Sequence, residues 1–355
     1  MLVNPPTWLK SVATRVESRL SEFLQDEQDR WSGIDSDLNV PLGELTRLVG
    51  AGGKRLRPAF CYLSFVGAGG DEDSKQLLDT QAALELLHAS ALLHDDIIDG
   101  SSMRRGEPTS HTRYIAKHVD SKWAGEARRF GEGAVILIGD LAFVYADQLM
   151  TGVNSISAKI WNEMRIEVNI GQYLDLLGSA QRERDLAKAE RVCRYKSGKY
   201  TIERPLHLGA SLAAPEQADV LLDQLSKFGL PLGDAFQMRD DVLGAFGDDA
   251  ESLTGKPIGD DLREGKPTPL LAMVYERASA TQREVLNKVG DPQISQQEIA
   301  DIQQVIIETD ALVALETKIS SLVEQSINAI SQSSLNQIAI RQLVELAEFV
   351  AARKN

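Results

Sequence analysis

Cysteine and aromatic residues are scarce in this sequence, and each shortage excludes a class of protein. The two cysteines, Cys61 and Cys193, are too few for a disulfide framework and too far apart for a metal knuckle, which favours a reducing, cytoplasmic compartment. Aromatic residues make up only 6% of the 355 residues, whereas hydrophobic residues reach 43%. That balance favours packing of Leu- and Ala-rich helices over a β-sandwich.

Long apolar runs and a positive charge balance are also lacking. No run of about eighteen apolar residues occurs, and residues 1–10 lack the apolar segment of a signal peptide, so we expect neither a transmembrane helix nor export. The formal net charge of -14 makes the general surface a poor partner for nucleic acid. An anionic ligand would therefore need a local cluster of basic residues, or metal ions, to hold it.

Apolar residues recur at three- and four-residue steps almost throughout, which predicts helices. The longest later stretches are 133–150, 156–177, 218–246, 312–330 and 338–350. No segment alternates at period two for long enough to predict a strand. Apolar helical patterns continue on both sides of every Gly- or Pro-bearing break, so we expect one all-α domain over residues 1–355. The irregular segment 247–269 has the length and composition of a lid or binding loop.

An acidic segment lies at the end of an apolar helical stretch. Asp95, Asp96 and Asp99 fall within about 100° of one another around a helix. Three carboxylates at the end of a buried helix repel one another and lose hydration unless cations compensate them. Oxygen ligands of this kind suit Mg²⁺. A solvated acidic helix end is the alternative, but acids at a helix C-terminus also oppose the macrodipole.

A second acidic pair and several basic residues complete the pattern. Asp240 and Asp241 also end an apolar stretch, so the two acidic segments could face each other across a cavity and bracket metal ions. The basic residues near these segments are Lys54, Arg57, Arg104, Arg105, Lys196, Lys199, Lys256 and Lys266. Arginine binds phosphate oxygens bidentately, and lysine acts as a point charge. Each basic residue could be ordinary surface, but together they indicate a site for phosphorylated ligands.

These segments resemble, in order, the motifs of the trans-type isoprenyl diphosphate synthases, the polyprenyl synthetase family, and most of all its geranylgeranyl diphosphate synthases. The matching residues are 52–58, 95–99, 104–106, 196–197, 236–241 and 259–266. The resemblance implies an isoprenoid-synthase-type helical bundle around a deep central cavity. It also implies a homodimer and an Mg²⁺-dependent condensation of isopentenyl diphosphate with an allylic diphosphate.

The resemblance further implies a role for each matched residue. The Mg²⁺ ions, three per active site, would be held by Asp95, Asp96, Asp99, Asp240 and Asp241. The allylic diphosphate would be bound by Arg104, Lys196 and Lys256, with Ser197 and Gln237 beside it and Lys266 near the closing loop. Isopentenyl diphosphate would be bound by Lys54, Arg57, His88 and Arg105. Catalysis is expected to depend on Asp95, Asp96, Asp99, Arg104, Lys196, Gln237 and Asp240.

One position departs from the family pattern. The usual second acidic motif ends in a further aspartate, where this chain has Gly244. Metal binding should survive through Asp240, but how tightly the ion on that side is held stays open. One hypothesis is that Asp248 partly substitutes for the missing carboxylate.

Product length is expected to depend on the residues that precede the first acidic motif. In the family, side chains about one helical turn before that motif form the floor beneath the growing chain, and here they are the small Ser90 and Ala91. Leu87 lies about one turn, or 5.4 Å, further down. We therefore expect geranylgeranyl diphosphate first, and longer polyprenyl or farnesyl products second. The alternative is that Ser90 and Ala91 are ordinary helix-packing residues.

Three other readings of the motifs are weaker. A metal-dependent phosphohydrolase could use His88, His94 and Asp95 but would need further metal-binding histidines. A class I terpene cyclase shares the first acidic motif, but its second metal motif mixes Asn, Ser and Glu. A regulatory subunit of a heteromeric prenyl synthase usually loses the aspartates or arginines, and only Gly244 favours it here.

Overall fold

The computed structural model describes residues 5–104, 106–247 and 259–352. These residues are mostly α-helical, which confirms the predicted all-α class. The α-helices are α1 (Thr7–Ser32), α2 (Asn39–Gly50), α3 (Leu56–Gly67), α4 (Lys75–Ile98), α5 (Ser110–Asp120), α6 (Ala127–Leu149), α7 (Ser155–Gln181), α8 (Leu186–Val192), α9 (Arg204–Ala213), α10 (Ala218–Phe246), α11 (Asp260–Glu264), α12 (Pro269–Arg277), α13 (Ala280–Leu286), α14 (Gln296–Glu308), α15 (Ala311–Ser331) and α16 (Gln337–Ala352).

Shorter elements connect these helices. Two 3₁₀ turns span Ser36–Leu38 and Pro215–Gln217, and strands β1 (Met103–Arg104) and β2 (Glu107–Pro108) form one antiparallel hairpin. A π-helix over Cys193–Glu203 joins α8 to α9. Neither the hairpin nor the π-helix was predicted, whereas α10 has the predicted bounds and α15 and α16 lie within two residues of theirs.

The core consists of three apolar clusters, and helix α10 links two of them. The first cluster includes α4 and α6, with Leu84 and Ile138 nearly inaccessible to solvent. The second contains Phe228 of α10, packed with residues of α3, α9 and α16. The third contains Val242 near the end of α10, packed with residues of α12 to α15. Both acidic motifs therefore lie at the ends of helices that the core fixes in place.

None of the helices in the described ranges combines the length and the apolar character that a membrane span requires.

A buried ionic network links the π-helix to α7. Glu167 of α7 accepts hydrogen bonds from Arg204 at 2.7 Å and from Lys199, and it is 5% exposed. A buried carboxylate of this kind is stable only when its partners are in place. Burial raises the pKa of Glu167, but the hydrogen bonds and charges of Arg204 and Lys199 together outweigh burial and lower the pKa below its usual value. The network thus fixes the π-helix against α7.

The same network continues to a buried histidine. The Nε2 of His207 lies 3.1 Å from the carbonyl oxygen of Leu222. Its Nδ1 lies 3.3 Å from the guanidinium of Arg204. The Nε2-protonated neutral ring satisfies both contacts, because Nε2–H donates to the carbonyl and Nδ1 accepts from Arg204. Burial, followed by the charge of Arg204, lowers the pKa of His207 to about 3.

We expect His207→Gln to reduce the acid sensitivity of folding. His207 takes up a proton more readily in the unfolded chain, with a pKa near 6.5, than in the fold. Its contribution to stability is therefore fully present above that pH and is lost as the pH falls toward 3. At pH 5 the loss in the parent protein is roughly 2 kcal/mol. Urea denaturation at pH 7.5 and pH 5 measures how much the free energy of unfolding falls between these pH values. The fall should be smaller in the variant than in the parent by about that amount, and equal falls would contradict the prediction.

Candidate functional site

The first acidic motif lies where the buried helix α4 ends. Asp96 is 3% exposed, and Asp99 caps the helix through its N–H, which donates to the carbonyl of Asp95 at 2.8 Å. Burial raises the pKa of Asp99, and the charge of Asp95 raises it further, against the opposite effect of Lys266. The motif is therefore a cluster of crowded carboxylates, as the sequence predicts, and its charge needs compensation.

Arg104 provides the first compensating charge. The β1–β2 hairpin turns back at Gly106, whose φ of 75° suits glycine, and brings Arg104 against the end of α4. Its Nε donates to Asp96 Oδ1 at 2.8 Å, and its Nη2 lies 3.5 Å from Asp95 Oδ2. Although burial lowers the pKa of Arg104, the carboxylate of Asp96 and its hydrogen bond raise it above the usual value.

Lys196 provides the second compensating charge, from the π-helix. Its Nζ lies 3.2 Å from Asp95 Oδ1 and 2.5 Å from Asp175 Oδ2. Gln172 donates to the same oxygen of Asp95 at 3.0 Å. Burial lowers the pKa of Lys196, but the charges of Asp175 and Asp95 outweigh it and raise the pKa. Asp95 therefore contacts two cations and an amide from three different elements.

Glycines allow the π-helix to lie this close to its neighbours. A Cβ on Gly171 of α7 would lie closer to the backbone nitrogen of Lys196 than real Cβ atoms approach other atoms. On the other side, a Cβ on Gly233 of α10 would lie 2.7 Å from the Cα of Gly198. The π-helix is thus wedged between α7 and α10 at backbone contact distance, and π-helical segments are frequent at functional sites.

Lys266 provides the third compensating charge, from the loop after α11. Its Nζ lies 3.1 Å from Asp99 Oδ2, 2.7 Å from Glu264 Oε2 and 3.7 Å from Asp261 Oδ1. Burial lowers the pKa of Lys266, but Asp261 and then Asp99 raise it well above the usual value. The loop described from residue 259 onward thus closes against the first acidic motif.

The second acidic motif is split between a buried and a more accessible carboxylate. Asp241 is 4% exposed, and its Oδ1 accepts a hydrogen bond from Gln237 at 2.8 Å. Its Oδ2 lies 3.9 Å from the thiol of Cys193. Burial raises the pKa of Asp241 well above its usual value, against the hydrogen bond from Gln237, and Asp261 and Asp240 raise it further. Asp240 is half-buried one residue earlier in the same helix.

Lys266 lies between Asp99 of the first acidic motif and Asp261, which raises the pKa of Asp241 in the second motif, although burial is the main cause of that rise. Asp261, beside the second motif, and Asp99 of the first motif both raise the pKa of Lys266, although burial opposes them. Among the described residues, no three Asp, Glu, His or Cys side chains converge tightly enough to hold a metal ion by themselves. The donors that line the site are nonetheless carboxylate oxygens, the ligand type that Mg²⁺ prefers together with substrate phosphates.

A third group of residues surrounds Tyr200. The guanidinium of Arg57 lies 4.4 Å from the Tyr200 ring, and its Nη2 donates to Thr201 Oγ1 at 2.9 Å. The ring of His88 lies 6.2 Å from that of Tyr200, and Lys54 Nζ lies 5.3 Å from the ring of Phe349 in α16. Arg57 and His88 thus lie beside the π-helix, whereas Lys54 contacts α16.

Arg55, between Lys54 and Arg57, has a different role. It has a φ of 48° and begins α3 with its side chain only 6% exposed. Its guanidinium lies 2.5 Å from Glu85 and donates to the carbonyl of Val49 at 2.7 Å. These contacts stabilise the basic loop, so Arg55 orients its neighbours and is itself internal.

The three residues predicted to set product length lie on the buried helix α4. Ser90 and Leu87 are each 2% exposed, and Ala91 is half-buried one turn before Asp95. Steps of four residues keep Leu87 and Ala91 on the same helix face as Asp95.

Of the remaining predicted residues, Ser197 is half-buried next to Lys196. Arg105, Lys256 and Asp248 lie outside the described residues.

Sequence reasoning missed several residues of the site. On α7, Gln172 contacts Asp95 of the first acidic motif, and Asp175, three residues later, contacts Lys196, a partner of that motif. Tyr200 and Thr201 contact Arg57, and Asp261 and Glu264 contact Lys266. The spacing of Gln172 and Asp175, two polar residues on one face of an apolar helix, was an available signal.

Comparison with known proteins identifies relatives of this architecture. The Polyprenyl synthetase family profile matches residues 42–308. The chain is 31% identical over 312 residues to a geranylfarnesyl diphosphate synthase of Aeropyrum pernix, with 85% of this chain and 87% of that one covered. It is 30% identical over 269 residues to an all-trans-nonaprenyl-diphosphate synthase of Rhodobacter capsulatus, with 75% of each chain covered.

A solved structure is similar over nearly the whole length. It is a geranylgeranyl pyrophosphate synthase of Corynebacterium glutamicum complexed with isoprenyl diphosphate and magnesium. The two chains share a TM-score of 0.90 and 36% identity, and the alignment covers 97% of this chain and 99% of that one. The fold of the relatives is therefore the fold of this chain.

The close backbone contact between the π-helix and α10 predicts a difference in stability between two glycine variants. Gly233→Ala should destabilise the protein by about 1–3 kcal/mol, because the added methyl group overlaps Gly198 in a packed interior. Gly43→Ala is the matched control, since a Cβ there meets nothing within 4 Å in the interior of α2. That control should stabilise by roughly 0.5–1 kcal/mol. Urea denaturation of both variants measures the difference, and an unchanged midpoint for Gly233→Ala would disprove the close contact.

Proposed function

This chain belongs to the polyprenyl synthetase family and is a trans-prenyl diphosphate synthase, and from that premise we propose its product, cofactor and site roles. The product is geranylgeranyl diphosphate, made from isopentenyl diphosphate and the allylic diphosphates up to farnesyl diphosphate. The cofactor is Mg²⁺, with three ions per active site. The observation that supports this best is the pairing of the three carboxylates of the first acidic motif with Arg104, Lys196 and Lys266.

The acidic residues divide into two metal-binding sides. Asp95 and Asp99 lie one turn apart on the same face of α4, with Asp96 beside them, and Asp240 and Asp241 lie at the end of α10. Their donors are oxygens only, which fits Mg²⁺ bound together with substrate phosphates. When bound, the metal ions would neutralise charge on the diphosphate as the allylic C–O bond breaks.

The cations of the site hold the allylic diphosphate as it leaves. Arg104 and Lys196 lie within 3.5 Å and 3.2 Å of Asp95, beside the carboxylates that would bind the metal. A diphosphate bound beside these carboxylates would come within reach of both side chains, and Lys256 is proposed as a third ligand. Preorganised cations of this kind stabilise the developing negative charge, which is usually the largest contribution to catalysis.

The second substrate is proposed to bind beside the π-helix. Lys54, Arg57 and His88, with Arg105, would bind the diphosphate of isopentenyl diphosphate, and Tyr200 holds Arg57 through the face of its ring. Gln237, next to the second acidic motif, would lie beside the reacting allylic group, with Ser197 at the allylic diphosphate. The double bond then attacks the allylic cation, and the departing diphosphate accepts the proton that is lost. Lys266 would close the site from the loop.

The whole chain is proposed to act as one domain in a homodimer. Helix α10 belongs to two core clusters, so the chain has no obvious division into independent units. Helices α6 and α7 leave large apolar side chains exposed, among them Leu137 at 70% and Tyr173 at 63%. Several exposed large apolar side chains on neighbouring segments of the chain are typical of an interface. The two buried free cysteines favour the reducing cytoplasm as the compartment.

The dimer proposal predicts that charge on the exposed apolar residues of α6 and α7 dissociates the protein. Leu137→Glu combined with Tyr173→Glu should shift the mass measured by light scattering from two chains to one, because burying two carboxylates in an apolar interface is costly. Val220→Glu is the matched control, since Val220 is 59% exposed on α10. A parent protein that is already monomeric would disprove the dimer.

The metal-binding roles predict large losses of turnover. Asp95→Ala and Asp240→Ala should each lower turnover by roughly 10²-fold or more at saturating Mg²⁺, by analogy with removing one preorganised electrostatic contact. Asp219→Ala, at the exposed start of α10, is the control and should keep full activity. The assay supplies isopentenyl diphosphate, Mg²⁺ and each of three allylic starters, and the dephosphorylated products are resolved by chromatography and mass.

Each outcome of that assay has a definite meaning. A dominant twenty-carbon alcohol supports geranylgeranyl diphosphate as the product, and longer alcohols would replace it with a polyprenyl diphosphate. Near-normal turnover in both aspartate variants would remove the proposed metal-binding roles. No condensation by the folded parent protein would favour a regulatory subunit, with Gly244 as the first residue to study.

The floor of the cavity is tested at Ala91. Ala91→Phe should shorten the main product by at least one isoprene unit, because the ring would extend over the face of α4 one turn below Asp95. Ala91→Ser adds only a hydroxyl group and should leave the product unchanged. The ratio of products at fixed substrate concentrations measures the effect, and the same distribution in all three proteins would mean that Ala91 is a helix-packing residue.

A further inference from the structure

The imidazole ring of His94, one residue before the first acidic motif, lies against α6. We propose that His94 is a positioning residue, which holds the end of α4 against α6 and so fixes where the carboxylates of Asp95 and Asp99 lie when metal ions bind. This inference rests on the proposed function, because it assigns a supporting residue to the Mg²⁺ site proposed there. The contacts that support this role are with α6, so it differs from the role of a metal ligand.

The hydrogen bond of the ring is the first argument. His94 Nε2 lies 3.1 Å from the carbonyl oxygen of Ile136 and 3.6 Å from Asp140 Oδ1. A carbonyl oxygen can only accept a hydrogen bond, so Nε2 carries a proton and is the donor. Ile136 and Asp140 lie about one turn apart on α6, so the ring contacts two successive turns of that helix.

The surface of α6 at this place is the second argument. A Cβ on Gly139 would lie well inside 3.0 Å of His94 Nε2, a separation that real Cβ atoms essentially never show. Gly139 is buried in the interior of α6, where glycine destabilises a helix relative to alanine. The absence of a side chain is what lets the ring reach the backbone of α6. A residue that weakens α6 thus occupies the position where the contact with His94 requires it.

The position of His94 within α4 is the third argument. Leu93 is 1% exposed in the first core cluster, whereas the side chain of His94, the next residue, is 33% exposed. Successive side chains of a helix point about 100° apart, so the core holds one side of the last turn and α6 holds another. Two such contacts fix the rotation of this turn about the helix axis. Asp95 and Asp99 directly follow or end this turn, so their directions are fixed with it.

The cations of the site cannot provide this support throughout the reaction. Lys196 Nζ lies 3.2 Å from Asp95 Oδ1, and Arg104 Nη2 lies 3.5 Å from Asp95 Oδ2. Under the proposed function, both cations also bind the allylic diphosphate, which competes with Asp95 for them. The hydrogen bond from His94 to α6 involves neither cation. It can therefore keep the end of α4 in place both before and after the diphosphate binds.

The first experiment measures metal binding and does not depend on turnover. Mg²⁺ is titrated calorimetrically into the full chain in the presence of inorganic diphosphate. His94→Ala removes the donor and should weaken Mg²⁺ binding roughly tenfold, as loss of a residue that orients a metal ligand usually does. His94→Gln keeps an N–H donor near the end of the side chain and should regain most of the parent affinity. Unchanged binding in folded His94→Ala would overturn the inference.

His118→Ala is the matched control. His118 is 4% exposed, and its Nε2 lies 3.1 Å from the carbonyl oxygen of Ala124, a hydrogen bond of the same kind and length at the end of α5. This variant should lower the free energy of unfolding, because it leaves a cavity and an unpaired carbonyl, but it should bind Mg²⁺ as the parent does. An equal loss of Mg²⁺ affinity in His118→Ala would mean that any destabilisation weakens the site, which would overturn the inference.

A double-mutant cycle tests the contact between the two helices. Gly139→Ala alone should weaken Mg²⁺ binding, because the added methyl group displaces the ring of His94. The same substitution should have little further effect in His94→Ala, where the ring is absent. A full second loss of affinity in the double variant would show that the two residues act independently, and it would overturn the inference.

The Michaelis constants separate positioning from general damage. At a fixed, subsaturating Mg²⁺ concentration, His94→Ala should raise KM for the allylic diphosphate and leave KM for isopentenyl diphosphate near the parent value, because only the first is proposed to bind through the first acidic motif. An equal rise in both would overturn the inference. A parent protein that binds no Mg²⁺ with diphosphate would overturn the proposed function and this inference with it. Normal binding in both the parent and His94→Ala would overturn the inference alone.

Discussion

The rest of the site depends on the neutralisation of the carboxylates at the end of α4. Asp95, Asp96 and Asp99 are 19%, 5% and 11% exposed at their side chains, so water compensates little of their charge. Buried carboxylates without cations would take up protons or destabilise the fold. The fold instead brings Arg104, Lys196 and Lys266 to them from a hairpin, a π-helix and a loop. Each of these elements is held in place by its own packing, and the ion pairs join them at one point.

The packing that delivers Lys196 explains the unusual helix between α8 and α9. A regular α-helix over residues 193–203 would direct its side chains differently around the helix axis. The π-helix is held in place by backbone contacts at Gly171 and Gly233 and by the ion pairs of Glu167. The same segment also presents Tyr200 and Thr201 to Arg57. This one irregular helix thus serves both proposed diphosphate sites, and its irregularity follows from the tertiary contacts on its two sides.

The sequence predicted the parts of this arrangement that are local. Helical periodicity gave the all-α class and the bounds of α10, because apolar spacing along a helix is set by nearest neighbours in the chain. The acidic and basic motifs were visible because unusual charge interrupts that spacing. The π-helix, the partners Gln172 and Asp175, and the internal role of Arg55 were not predicted. These features depend on which helices touch, and a run such as Lys54 to Arg57 does not itself reveal which cation turns inward.

Under the proposed roles of these residues, the compensated site implies that substrate and metal enter together. Lys196 and Lys266 are already paired with Asp95, Asp175 and Asp99, so a diphosphate that arrived alone would compete with carboxylates for the same lysines. Metal ions that arrived alone would meet carboxylates already neutralised by those lysines. When a diphosphate and its metal ions bind together, the carboxylates can turn to the metal and the lysines to the phosphate, so every charge keeps an opposite partner. The affinity of the site then reflects the difference between the ion pairs of the empty site and those formed with metal and diphosphate bound. This difference favours the combined ligand over either component. It also lets a strongly acidic protein bind an anion.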